Sequence, residues 1–183
     1  MRTNIPEKLL KIADEISEHG NVNLTRLVAL KKWFEKPERL AAFAVWIAAR
    51  ATSRKGKTGG AAAELFREAK ALLAGADKPR PQLDRQKAQA LHDRLRDFQN
   101  EYQKQRWGEV RIVHNWNLML VEHALATYLR HANSPADGYK LAADYCQNYD
   151  PRHGNGLNGP SRTQIEEIVR FMFTIEAVED ASE

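Results

Sequence analysis

A run of ten consecutive apolar residues, from Leu40 to Ala49, constrains this chain more than any other feature. The run follows Pro37, a residue that suits the first turn of a helix, and a helix built on it is apolar on every side. Such a run is far shorter than the roughly 18 residues that a membrane-spanning helix requires. It therefore predicts a core helix that other parts of the protein cover, and no membrane span.

Apolar residues recur at helical spacing along all 183 residues, and no segment shows the alternation that is typical of a strand. We therefore predict an all-α fold of about eight helices, arranged as a single domain over residues 1–183. Residues 109–131 form the most apolar long segment and are expected to be the central helix. Gly75, Pro79 and Pro81 make residues 75–81 the one convincing linker. The alternative is thus a subdivision into basic N-terminal helices, 1–74, and central and C-terminal helices, 82–183.

Capping residues predict several helix boundaries. Ser134, Pro135 and Asp137 supply an N-cap, a first-turn proline and an acidic third residue for a helix that is expected to end near Tyr149. Ser161 and Gln164 form a capping box at the start of the last helix.

The charge is unevenly distributed. The chain has a net charge of +4, but residues 1–78, 79–133 and 134–183 carry +6, +3 and −5. The basic front permits an anionic ligand or nucleic acid as partner, and a protein partner is equally compatible with it. The single cysteine, Cys146, permits no internal disulfide, and the first residues, MRTNIPEKLLK, do not resemble a secretory signal. We expect a cytoplasmic protein with no cofactor and no metal.

The loop at residues 150–160 is a candidate anion site. Its glycines match the spacing of a dinucleotide-binding loop, but the preceding strand and the later acidic residue of that fold are missing. A long turn built on Asn–Gly pairs is the simpler interpretation. Free backbone N–H groups at the start of the following helix favour bound anions. The residues expected to serve this site are Arg152, His153, Asn155, Asn158 and Arg162.

The predicted central helix also carries a polar stripe, formed by Arg111, Asn115 and Glu122. These residues fall on one side of a helix that is otherwise apolar all round. Because a buried charge requires a partner, we expect the stripe to pair with neighbouring helices. A structural polar network is favoured over a ligand-binding site.

Arg85 and His92 lie on one face of the long helix predicted at residues 82–106. Their spacing is similar to the Arg-x4-6-His pattern of HEPN-type helical RNases. That resemblance implies a histidine that transfers a proton and an arginine that stabilises a phosphate. A solvated helix face is the alternative interpretation of the pair. We favour a non-enzymatic, all-helical binding or adaptor protein of unknown ligand, with the RNase as the alternative.

Overall fold

A computed structural model confirms the all-α class. It describes residues 7, 11–12, 28–53, 60–74, 82–105, 116–130, 134–146, 148–149, 157–158 and 162–181. Seven helices lie in these residues. They are α1 (Val28–Phe34), α2 (Pro37–Ser53), α3 (Ala61–Leu72), α4 (Arg85–Gln105), α5 (Trp116–Leu129), α6 (Pro135–Cys146) and α7 (Arg162–Asp180). Glu7, Lys11 and Ile12 are also helical, and their neighbours in the sequence lie outside the described residues.

The prolines mark helix starts as predicted. Pro37 begins α2 and Pro135 begins α6. At α6, the Ser134 N–H donates to Asp137 Oδ2 at 3.1 Å, so the acidic third residue does cap this helix. At α7, Ser161 lies outside the described residues, while the Gln164 Oε1 atom is buried with no hydrogen-bond partner in the described part of the chain.

The sequence predicts that α6 ends near Tyr149, and the structure places its end three residues earlier. The helix ends at Cys146, and the chain continues into a short antiparallel ladder of β1 (Asn148–Tyr149) and β2 (Leu157–Asn158). Asn148 pairs with Asn158 and Tyr149 with Leu157. The ladder satisfies backbone groups that another turn of helix would otherwise have satisfied. It brings together the two ends of the segment that contains the predicted anion loop.

The chain divides into two compact units, Met1–Phe43 with Asn133–Glu183, and Ala44–Ala132. The boundary between them falls inside α2. Residues 75–81, the predicted linker, lie outside the described residues, and the helices on either side of them, α3 and α4, pack together in the second unit. None of the helices in the described ranges combines the length and the apolar character that crossing a bilayer requires.

An aromatic cluster forms the core of the first unit. Phe34 lies 5.2 Å from Trp33, 4.9 Å from Phe43 and 6.3 Å from Tyr139, measured between ring centroids, and Phe171 completes the group at 6.0 Å from Phe43. Gly138 makes this packing possible, because a Cβ atom there would lie 2.5 Å from the Phe34 ring. The cluster joins α1, α2, α6 and α7.

The second unit is built on α5. Every residue of Trp116–Leu129 is buried or only partly exposed, as expected for a helix that is apolar all round. α4 packs against both α5 and α3. Its buried side chains, Ala88, Leu91 and Leu95, recur at intervals of three or four residues along one face. The opposite face of α4 carries exposed charges.

Candidate functional site

The structure brings His92 and Glu122 together at the contact between α4 and α5. The His92 Nε2 atom lies 3.1 Å from Glu122 Oε1, and each side chain is only 12% exposed. Glu122 thus has the partner that its position on an apolar helix requires. Two residues that the sequence assigned to different predicted sites belong to one pair.

Two further groups adjoin this pair. The His92 Nδ1 atom lies 3.4 Å from Asp93 Oδ1, and the second oxygen of Glu122 lies 3.6 Å from His123 Nε2. The pKa of Asp93 is below its usual range because Gln89 donates hydrogen bonds to its carboxylate, with smaller contributions from His92 and Arg96. The arrangement ties α4 to α5.

Arg85 has a different environment from His92. Its guanidinium donates to the Leu129 backbone oxygen at 2.8 Å and lies 5.9 Å from the centre of the Tyr128 ring. This oxygen belongs to the C-terminal turn of α5, where a cation is favoured. Arg85 and His92 are about 10 Å apart along the axis of α4. Arg85 therefore contacts the C-terminal end of α5, whereas His92 contacts Glu122 in the middle of that helix. The structure does not bring the RNase-like pair into contact.

The other predicted site residues remain predictions. Arg111, Asn115, Arg152, His153 and Asn155 lie outside the described residues. For Asn158 and Arg162 the structure describes only the backbone, in β2 and at the first position of α7. The loop between β1 and β2 therefore keeps its status as a predicted anion site.

A cleft between α3 and α4, with a volume of about 520 Å³, is the feature that sequence reasoning missed. Its lining residues all belong to the second unit: Glu68, Ala71, Leu72, Gln82, Leu83, Asp84, Lys87, Ala90, Leu91 and Arg94. Pockets that bind small molecules usually have volumes of about 300 to 1,000 Å³ and apolar walls with a few polar groups. The cleft has both properties. We refer to these ten residues as the α3–α4 cleft.

The acidic groups of the cleft are already engaged. Asp84 Oδ1 caps α4 by accepting from the N–H groups of Gln86 and Lys87, at 3.0 and 3.2 Å. Glu68 accepts a hydrogen bond from Arg94, which raises the pKa of Arg94 above its usual value. Lys87 is the most exposed of the charged groups, with 76% of its side chain accessible and Asp84 3.7 Å away. Its ammonium group is therefore largely accessible to solvent.

No local signal in the sequence points to this cleft. Its walls come from two helices, and the sequence pattern of each helix alone is typical of an ordinary amphipathic helix. Ala71 and Ala90 are small and exposed, which indicates a groove only once the pairing of α3 with α4 is known.

A partly buried ion cluster lies in the first unit. Arg39 binds Glu179 through two nitrogens, at 3.0 and 2.6 Å, and lies 3.6 Å from Glu176. Hydrogen bonding from Arg39 lowers the pKa of Glu179 to about 2, and Lys36 contributes in the same direction. Arg39 also lies 5.2 Å from the centre of the Trp33 ring. The cluster joins α2 to the last turns of α7, and its charges are compensated within it.

The described residues contain no group of three or more His, Cys, Asp or Glu side chains that could hold a metal ion. Comparison with protein-family models, curated proteins and solved structures finds no significant match to this chain.

Proposed function

We propose that this chain is a non-catalytic binding protein that holds an amphipathic anion in the α3–α4 cleft. The observation that supports this function is the combination of an apolar floor with an exposed lysine at the rim. Leu72, Leu83 and Leu91 supply the apolar surface, and Lys87 supplies the cation. A ligand gains affinity from burying its apolar part and orientation from its charged group.

The cleft lacks the features of a catalytic centre. His92 and Glu122, the acid–base pair of the second unit, do not line it. Its own carboxylates cap α4 or bind Arg94, so neither is poised as a general base. Binding without chemistry is the role that these groups support.

Octanoate is a suitable probe, because it joins a short apolar chain to a carboxylate. We expect octanoate to raise the melting temperature of the full chain, since a ligand that binds only the native state stabilises it. Octyltrimethylammonium has a similar apolar chain and the opposite charge, and it should stabilise the protein much less. Lys87→Gln should reduce the rise in melting temperature that octanoate causes. Lys70→Gln is the matched control, because Lys70 is an exposed lysine of α3 that does not line the cleft.

Equal stabilisation by both amphiphiles would contradict the assigned role of Lys87. The absence of any stabilisation by octanoate, at concentrations below its micelle-forming range, would remove the proposed function. Stabilisation that survives Lys87→Gln would place the anion elsewhere, with the predicted loop at 150–160 as the next site to test.

RNA cleavage is the second candidate function, and the contact between His92 and Glu122 is the observation that favours it. A carboxylate beside an imidazole can orient it as a proton-transfer group. The candidate requires Arg85 to leave the Leu129 carbonyl and reach a phosphate. RNA cleavage that His92→Gln and Arg85→Gln each abolish would establish it. Intact RNA after prolonged incubation with the wild-type protein would exclude it.

We also propose that the protein works in the cytoplasm. Cys146 is the single cysteine of the sequence and is buried at the end of α6, so the chain can form no internal disulfide. A reducing compartment is compatible with this state.

A further inference from the structure

We draw no further inference here: the strongest candidate, the side-chain cluster of His92, Asp93, Glu122 and His123 at the contact between α4 and α5, belongs to the site already described, and its polar groups are engaged with one another in holding the two helices together.

Discussion

At the scale of single residues, charge compensation and close packing explain most of the unusual positions. Arg39 is only 13% exposed, yet it is compensated by two carboxylates and lies over the Trp33 ring. Gly138 is surrounded closely enough that a methyl group would overlap Phe34. Both features belong to the first unit, and both give stability effects that can be measured separately from ligand binding.

Glu179→Gln should destabilise the protein at neutral pH by up to about 3 kcal/mol, since the pKa of Glu179 falls from 4.5 in the unfolded chain to about 2 in the folded one. The folded state holds the ionised carboxylate, so this contribution is fully present above pH 4.5. It is lost as the pH falls from 4.5 through about 2, because the carboxylate is protonated in both states only below its folded-state pKa. Urea unfolding of wild type and variant across this range measures the difference. A difference that does not depend on pH would show that the ion pair with Arg39 contributes nothing.

Gly138→Ala should destabilise the protein by about 1 to 3 kcal/mol, because the added methyl group would lie 2.5 to 2.7 Å from three atoms of the Phe34 ring. Helix propensity alone predicts the opposite sign, a gain of about 1 kcal/mol. The double variant with Phe34→Leu makes room for the methyl group. It should therefore lose less stability than the sum of the two single variants. Simple additivity in thermal or urea unfolding would argue against this contact.

At the scale of helices, the sequence predicts where a helix begins but not which other helices it packs against. Pro37 and Pro135 begin helices as predicted, because a proline suits the first turn wherever the helix packs. The sequence predicts that Glu122 has a partner. The identity of that partner, His92, depends on how α4 packs against α5. Spacing along α4 instead linked His92 with Arg85, since a helix face shows which residues lie together but not what covers them. The ladder after α6 depends in the same way on a pairing with a later segment.

The contact between His92 and Glu122 should appear as a coupling between α4 and α5. His92→Leu and Glu122→Leu each leave a largely buried polar partner behind, so each should cost about 1 to 3 kcal/mol. The double variant replaces both groups with apolar ones and should cost clearly less than the sum. Asn100→Leu, at an exposed position of α4, is the control and should change stability by less than about 0.5 kcal/mol. A coupling energy near zero would mean that the two side chains do not interact in solution.

At the scale of the whole molecule, the class of fold follows from local patterns and the candidate site does not. The apolar run of α2 and the apolar character of α5 already require helices covered by other structure. The α3–α4 cleft arises only when α3 and α4 pair, and its functional meaning depends on Lys87 at the rim and Leu91 at the floor. Neither residue stands out in the sequence, because a lysine and a leucine at these positions are typical of any amphipathic helix.

Amide NMR of the full chain during a titration with octanoate tests the central claim most directly, since it locates the ligand without assuming a site. If the α3–α4 cleft is the binding site, the largest shifts fall on Leu72, Lys87 and Leu91, and Lys87→Gln reduces them while Lys70→Gln does not. Shifts concentrated around Arg152 and Arg162 would contradict the account and transfer the anion to the loop before α7.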